Sequence, residues 1–201
     1  MNKKVEQGKS TRQQIVATAK ELFAARGYEG TSIEAVLQHA GISRGALYHH
    51  FDSKETLFGA VLRSVEAEIA QALVHASRGI TDPVEGLRTG GYTWLELAND
   101  PAIRQIALID APSVVGWEKW RAADEGYGLG LLKAGLGAAA ASGRMRPELV
   151  DVFAHMLLAA MSEVALLIAR SDDPSAATEL GKQALSELID RLLPAPAGVG
   201  K

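Results

Sequence analysis

The chain has 201 residues and no cysteine, and 47% of its residues are hydrophobic while 22% are charged. This composition is that of a folded globular protein, and the lack of cysteine excludes disulfides, thiolate nucleophiles and cysteine-built zinc sites. The first ten residues are polar, unlike a secretory signal, and Asp151, His155 and Glu163 interrupt the most apolar stretch, so we expect a cytoplasmic protein without a membrane span.

The net charge of −3 is unevenly distributed along the chain. Residues 1–63 contain nine basic and six acidic residues, whereas the remainder contains 12 basic and 18 acidic ones. A basic first segment followed by an acidic remainder indicates that only the first segment meets a polyanion, although a difference of this size can also arise by chance.

The first part of the chain predicts a long helix and then a short one. Apolar residues spaced three and four apart predict a helix over about 10–26, which Gly27 ends. Thr31 and Glu34 match a capping box, in which the Thr31 hydroxyl accepts the Glu34 N–H at the start of the second helix.

Two further helices are predicted directly downstream. Ser43 is a suitable N-cap for a third, short helix over about 44–51. Asp52 and Ser53 can cap a fourth helix, whose apolar spacing continues to about His75.

The remaining helix boundaries are marked by Asp-Pro and Ser-Gly pairs. Asp-Pro pairs at 82–83, 100–101 and 173–174 each place a capping carboxylate before a proline suited to the first helical turn. Ser142-Gly143 predicts a helix end, and Pro147 predicts a new helix that extends to about Arg170. No stretch alternates with a period of two, so the sequence predicts an all-α protein with about nine helices and a disordered tail at 194–201.

A glycine-rich run at 126–130 has neither the preceding strand nor the Gly-Lys-Ser/Thr ending of a phosphate-binding loop. We interpret residues 126–141 as a helix with a face of small residues. Whether that helix is continuous stays open at this point.

The second and third helices have the outline of a helix-turn-helix. Their apolar positions are spaced to pack against the first helix, which leaves a face with few acidic residues to enter a major groove. Arg44 is best suited to read guanine, while the hydroxyl, imidazole and ammonium groups nearby can donate to phosphates. The predicted DNA-contacting residues are Thr31, Ser32, Ser43, Arg44, Gly45, Ala46, Tyr48, His49, His50 and Lys54.

The span from Arg12 to Phe58 closely resembles the DNA-binding region of TetR-type, tetracycline-repressor-like regulators. The most specific part is the string Gly-Ile-Ser-Arg-Gly-Ala-Leu-Tyr-His-His-Phe-Asp-Ser-Lys-Glu at 41–55. The resemblance implies a DNA-binding domain at 1–56 and a helical effector-binding and dimerisation domain at 57–193. It also implies a homodimer, most often a repressor, which a small molecule releases from a palindromic operator without catalysis or a cofactor.

All three tryptophans fall within 27 consecutive residues, which is what a pocket for an apolar or aromatic effector would need. Tryptophan is also an ordinary core residue, and that alternative stays open. The predicted ligand-binding residues are Trp94, Asp110, Trp117, Trp120 and Met156.

The two C-terminal helices, 147–170 and 174–193, each carry an apolar face that could pair with its copy in a four-helix interface. The alternative is that these faces only close the core of the monomer. The predicted dimerisation residues are Val152, Ala160, Val164, Ile168, Leu185, Leu188 and Leu192.

Two other functions compete with a regulator. An all-α enzyme has little support, because the five histidines are scattered and the adjacent His49 and His50 cannot jointly chelate a metal from one helix. An architectural DNA-binding protein would have no use for the large apolar remainder of the chain. The sequence therefore predicts neither an enzyme nor a metal site.

Overall fold

The computed structural model describes residues 3–124 and 128–194, and this part of the chain contains ten α-helices and no strand. The prediction of an all-α fold is confirmed, with one helix more than the expected nine. Tyr127 and Gly126 in the glycine-rich run, and residues 195–201 of the predicted tail, lie outside the described residues. The helices are α1 (Lys3–Arg26), α2 (Ile33–Ala40), α3 (Arg44–Tyr48), α4 (Lys54–Ala76), α5 (Pro83–Leu97), α6 (Ala111–Val114), α7 (Trp117–Asp124), α8 (Gly130–Ala141), α9 (Val150–Arg170) and α10 (Pro174–Leu192).

Irregular segments also adjoin some of these helices. A π-helical segment, Ile103–Asp110, runs directly into α6, and a 3₁₀ turn, Pro147–Leu149, precedes α9. A π-helix is rare and places one extra residue in its turn, which turns the side chains that follow it. This segment is therefore a local departure from the regular helix that the sequence predicts.

The capping residues act largely as the sequence predicts. The Asp82 carboxylate accepts the N–H groups of Val84 and Glu85, and the carboxylates of Asp100 and Asp173 cap their helices in the same way. α1 ends at Gly27, whose φ of +70° is in the left-handed region that favours glycine. These ends are set by local chemistry, so the sequence alone locates them.

The cap of α2 differs from the prediction by one residue. Ser32, not Thr31, is the N-cap, because the Ser32 hydroxyl accepts the N–H of Ala35 at 3.1 Å. Thr31 is only 1% exposed, and its hydroxyl donates to the backbone carbonyls of Gly27 at 2.8 Å and Leu22 at 3.2 Å. The predicted capping box at Thr31 is wrong, since that hydroxyl ties the turn to the end of α1.

The chain forms two compact units. The first contains residues 1–67 and 100–120, and the second contains residues 68–99 and 121–201. One boundary falls within α4, so the units do not follow a single cut in the sequence. The functional division at residue 56 stays a prediction.

In the second unit, α5, α8, α9 and α10 pack together around an apolar core. α5 and α10 approach closely because Gly91 has no side chain: a Cβ there would lie 2.4 Å from Leu185 Cδ2. Gly181 of α10 has the same role against α9, where a Cβ would lie 2.9 Å from Val164 Cγ1. Because Gly91 and Gly181 have no side chains, the helices approach closely enough for Leu185 and Val164 to pack against the backbone of the facing helix.

This packing corrects part of the predicted dimer interface. Ile168 and Leu185 are only 1% and 7% exposed inside the second unit, so their assignment to the interface is wrong. Val164 is partly buried and packs beside Gly181, and Leu192 is also partly buried. Of the predicted residues, Val152, Ala160 and Leu188 are exposed.

An exposed apolar surface nevertheless remains on the last two helices. We call this surface the α9–α10 stripe; its members are Val152, Met156, Ala160 and Leu167 on α9, with Leu180 and Leu188 on α10. The segment Pro147–Arg170 is long and apolar enough to cross a membrane, a test that the core helices of soluble proteins also pass. Its opposite face packs against α5, α8 and α10, as in such a core helix.

Candidate nucleic-acid interface

The pair α2 and α3 is held in a helix-turn-helix by its caps and its buried residues. Gly41 ends α2 with a φ of +65°, and its N–H donates to the Leu37 carbonyl. The Ser43 hydroxyl then accepts the Ala46 N–H at 3.3 Å and starts α3. Val36 and Leu47 are completely buried, so the opposite face of α3 is directed to solvent.

Most of the predicted contact residues lie on this exposed face. α3 ends at Tyr48 rather than at about Phe51, and Phe51, which follows the turn, is buried in the core. Nothing within 4 Å would meet a Cβ at Gly45, so another molecule can approach the backbone there. The exposed residues are Ser32, Ser43, Arg44, Gly45, Tyr48 and His49, and the partly buried ones are Ala46, His50 and Lys54.

Thr31 is the exception within this group. Its hydroxyl donates to two backbone carbonyls, and its N–H donates to the Tyr28 carbonyl at 3.3 Å. The predicted contact between Thr31 and a phosphate is wrong, because both of its donors are used inside the first unit. Ser32 beside it remains exposed.

Arg44 has a partner that the sequence did not reveal. Its guanidinium pairs with the carboxylate of Glu34, and both side chains are largely exposed. The same guanidinium lies 6.0 Å from the ring centroid of Tyr48. Since an exposed ion pair is worth at most about 1 kcal/mol, this arginine can exchange its carboxylate partner for a guanine edge.

Lys54 is placed over an aromatic ring. Its ammonium nitrogen lies 4.0 Å from the ring centroid of Tyr28. The Tyr28 ring stacks on Phe23 with centroids 5.9 Å apart and meets Phe58 edge-on at 5.2 Å. Tyr28 lies within the span that resembles the family, but nothing in the sequence predicted this contact.

The Asp110 side chain forms a hydrogen bond with the backbone of Tyr28. Its carboxylate accepts the Tyr28 N–H at 2.7 Å and the side-chain amide of Gln105 at 3.0 Å. Asp110 is the last residue of the π-helical segment, so that segment is bonded to the turn between α1 and α2. Asp110 therefore has an internal hydrogen-bonding role, and its contact with an effector stays a prediction.

Burial raises the pKa of the Tyr28 phenol above its ordinary value, and the nearby carboxylates of Glu55 and Glu29 raise it further. The phenol therefore stays neutral at physiological pH. Its ring face interacts with Lys54 through the quadrupole of a neutral aromatic system.

The predicted ligand-binding residues are divided between the two units. Trp117 and Trp120 belong to the first unit, where their ring centroids are 4.8 Å apart. Trp120 is 6% exposed and its indole N–H donates to the Ala107 carbonyl at 2.8 Å, whereas Trp117 is 59% exposed. Trp94 and Met156 belong to the second unit, where the Trp94 indole donates to the Met161 carbonyl at 3.3 Å.

Two consequences follow for the predicted effector site. Trp120 has the contacts of an ordinary core tryptophan, which was the alternative left open by the sequence. Trp117 has the aromatic surface available to a ligand. Across the described part of the chain, no group of three or more His, Asp or Glu side chains is arranged to hold a metal ion.

Comparisons with known proteins all match this chain to tetR-type transcriptional regulators. Residues 15–61 match the family described as "Bacterial regulatory proteins, tetR family", and residues 84–192 match "Tetracyclin repressor-like, C-terminal domain". The HTH-type transcriptional repressor AcnR of Corynebacterium glutamicum is 34% identical over 119 residues, which are 53% of this chain and 60% of that protein. The chain spans about half the length of the curated relatives it matches.

Solved structures share the fold over nearly the whole chain. A TetR-family transcriptional regulator from Pectobacterium atrosepticum has a TM-score of 0.84 and 29% identity, and the match covers 98% of this chain and 100% of that one. AibR, solved with isovaleryl coenzyme A and operator DNA, has a TM-score of 0.62 and 22% identity, with 92% and 100% covered. At that identity the likeness to AibR is one of fold.

Proposed function

Since this chain belongs to the tetR family of bacterial regulatory proteins, we propose that it is a transcriptional repressor that binds a palindromic operator as a homodimer and is released by a small molecule. The observation that carries the proposal is the exposed face of α3, which presents Arg44, Tyr48 and His49 on a packed helix-turn-helix. A cytoplasmic location follows from this function.

The chemistry of the face supports binding to a major groove. Arg44 carries the fork of donors that matches guanine O6 and N7, so we assign it to base reading. Ser32, His50 and Lys54 offer hydroxyl, imidazole and ammonium groups, which we assign to phosphates. Phosphate contacts set the position of the helix, and the arginine supplies sequence preference.

Replacing Arg44 by alanine tests the base contact. We expect operator affinity to fall by about 1–3 kcal/mol and the preference at one operator position to relax, because one bidentate pair is lost. Binding to a library of operator variants measures both effects. Arg170→Ala is the matched control, since Arg170 is an exposed arginine of the second unit and its loss should leave the preference intact.

If Arg44→Ala binds with an unchanged sequence preference, the assignment of Arg44 to base reading is wrong.

Footprinting on genomic fragments tests the function more broadly. A discrete palindromic footprint is expected, whereas uniform coverage would indicate an architectural protein and no binding at all would favour the enzyme.

The dimer is proposed to form through the α9–α10 stripe. Four leucine, valine and methionine side chains that are more than half exposed lie on it, together with the partly exposed Leu188. A surface of this kind on two long helices is covered efficiently by its own copy in a four-helix arrangement. A palindromic operator then matches the two-fold symmetry of the protein.

The effector is proposed to be apolar or aromatic and to contact Trp117. A compound that binds there should change tryptophan fluorescence and release operator DNA together. Trp117→Phe should weaken the compound severalfold, in line with the ~0.5–1.5 kcal/mol of an aromatic pair, while ligand-free DNA binding stays intact. A fluorescence and thermal-shift screen of small aromatic and lipophilic compounds supplies the ligand.

Thermodynamic linkage provides the control for this experiment. Operator DNA must lower the affinity for the compound by the same factor by which the compound lowers operator affinity. If a releasing compound leaves Trp117 fluorescence unchanged and binds Trp117→Phe normally, the assignment of Trp117 is wrong.

A further inference from the structure

We infer that Tyr28 is a positioning residue for DNA binding, whose ring holds the Lys54 ammonium at the start of α4 for contact with a phosphate. The inference rests on the proposed function, because it requires that Lys54 contacts DNA. It concerns a residue that donates nothing to DNA itself and acts only through Lys54.

The ring of Tyr28 is a fixed platform. Phe23 stacks against it, and Phe58 packs edge-on to it at a centroid distance of 5.2 Å. Phe23 and Phe58 are both completely buried, so they anchor the Tyr28 ring to the core of the first unit. The backbone N–H of Tyr28 donates a hydrogen bond of 2.7 Å to the Asp110 carboxylate, which fixes the backbone at this residue.

Lys54 gains order from this platform. A free lysine side chain has four rotatable bonds, and fixing it costs conformational entropy. The ammonium nitrogen lies 4.0 Å from the ring centroid, at the distance of a cation–π contact. This contact offsets part of that entropy before DNA arrives.

The chemical nature of the platform also matters for phosphate binding. A carboxylate partner would order the ammonium equally well but would also cancel its charge and repel phosphate. The neutral face of Tyr28 orders the ammonium without adding an anion, so Lys54 keeps its attraction for DNA. The partly buried position of Lys54 leaves part of its side chain open to solvent and to DNA.

The experiment compares ring variants at position 28 with and without Lys54. Operator affinity is measured against salt concentration for the unsubstituted protein, Tyr28→Phe, Tyr28→Leu, Lys54→Ala and the double variant Tyr28→Leu/Lys54→Ala. We expect Lys54→Ala to flatten the salt slope by about one unit, because one phosphate contact is lost. Tyr28→Phe should bind normally, and Tyr28→Leu should lose about two- to fivefold in affinity.

The double variant separates positioning from stability. Tyr28→Leu should have no further effect on DNA affinity once Lys54 is alanine, because its effect passes through the ammonium. Trp120→Phe is the control: it changes a buried ring of the first unit whose ring partner is Trp117, and any effect on affinity should add to that of Lys54→Ala. Thermal unfolding of each variant shows that binding is measured on folded protein.

A second measurement remains informative if Tyr28→Leu does not fold. Phenylalanine rings with increasing numbers of fluorine atoms at position 28 keep the packing but weaken the negative ring face. Affinity should fall stepwise with fluorination in the Lys54 protein and stay constant in Lys54→Ala. Constant affinity in both backgrounds overturns the inference.

The two levels of the proposal fail differently. If Lys54→Ala leaves the salt slope unchanged, Lys54 does not contact phosphate, and the assignment made under the proposed function fails together with the inference. If Lys54→Ala flattens the slope but Tyr28→Leu adds its full effect to it, only the positioning role of Tyr28 is overturned.

Discussion

Replacing Leu167 by glutamate should produce a folded monomer that no longer holds a palindromic operator tightly. Leu167 is 61% exposed on α9 and lies in the α9–α10 stripe, so a single chain can accommodate a charge there. In the proposed dimer the substitution places a carboxylate from each copy in an apolar interface, where an unpaired charge costs several kcal/mol. The dimer should therefore dissociate.

The loss of DNA binding follows from the linkage of two half-sites. In a dimer, binding of one half-site makes the second contact intramolecular, which raises overall affinity by about 10²–10⁴ without any new contact. A monomer forgoes this gain, while its affinity for an isolated half-site is unchanged. Light scattering gives the oligomeric state, and operator and half-site titrations give the two affinities.

Val74→Glu is the matched control for this substitution. Val74 is an apolar residue of α4, 49% exposed, that also belongs to the second unit but not to the stripe. Its glutamate variant should remain a dimer and bind the operator normally. A dimeric Leu167→Glu protein, or a wild-type protein that is monomeric at micromolar concentration, would contradict the proposed interface.

The structure also explains why the residues predicted from the sequence coincide only in part with the α9–α10 stripe. The residues first assigned to α9 are spaced four apart, at 152, 156, 160, 164 and 168. Each step of four advances 400° around a helix with 3.6 residues per turn, so the row drifts by about 40° per step. It begins on the exposed face at Val152 and has turned onto the buried face by Ile168.

Steps of four mixed with steps of three would have followed one face. The spacing from Val152 through Met156 and Ala160 to Leu167 keeps the row on the solvent side. The exposed Glu163, three residues after Ala160, marks the solvent-side face in the sequence, whereas the other members of both rows are apolar and do not distinguish the two faces. The choice depends on where α5 and α10 pack.

Features with a local cause were predictable. The three Asp-Pro helix starts, the end of α1 at Gly27 and the cap of α3 at Ser43 each depend on residues within one turn. The helix-turn-helix could be predicted from the sequence for the same reason, because its caps and its buried positions all fall within a short segment. Neighbouring Thr31 and Ser32 could both cap α2, and burial against α1 decided between them.

Features that join distant residues were not predictable. Tyr28 and Asp110 are 82 residues apart, and no composition or spacing rule connects a backbone N–H to a carboxylate at that separation. The clustering of the tryptophans in the sequence predicted a single pocket. In the fold, however, Trp94 belongs to the second unit, whereas Trp117 and Trp120 belong to the first. Sequence proximity predicts spatial proximity only within an element or across a short turn.

Replacing Ile168 by glutamate should destabilise the fold of the single chain. The same change at the neighbouring Leu167 should leave that fold intact and separate the dimer. Ile168 is 1% exposed, and its Cδ1 would be 3.7 Å from a Cβ at Gly181, in the packed contact between α9 and α10. A carboxylate there has to be buried without a partner and also loses the apolar contacts of the isoleucine. Such changes cost about 4–5 kcal/mol or more, a large share of the 5–15 kcal/mol that stabilises a typical domain.

We therefore expect Ile168→Glu to unfold at a much lower denaturant concentration than the wild type, or not to fold at all. Ile168→Val is the matched control and should lose only about 0.5–1.5 kcal/mol, since it removes one methylene from the same site. Chemical denaturation followed by circular dichroism measures both variants beside Leu167→Glu. An Ile168→Glu protein that keeps the wild-type midpoint but is monomeric would return Ile168 to the dimer interface, and the packing of α9 against α10 described above would be wrong.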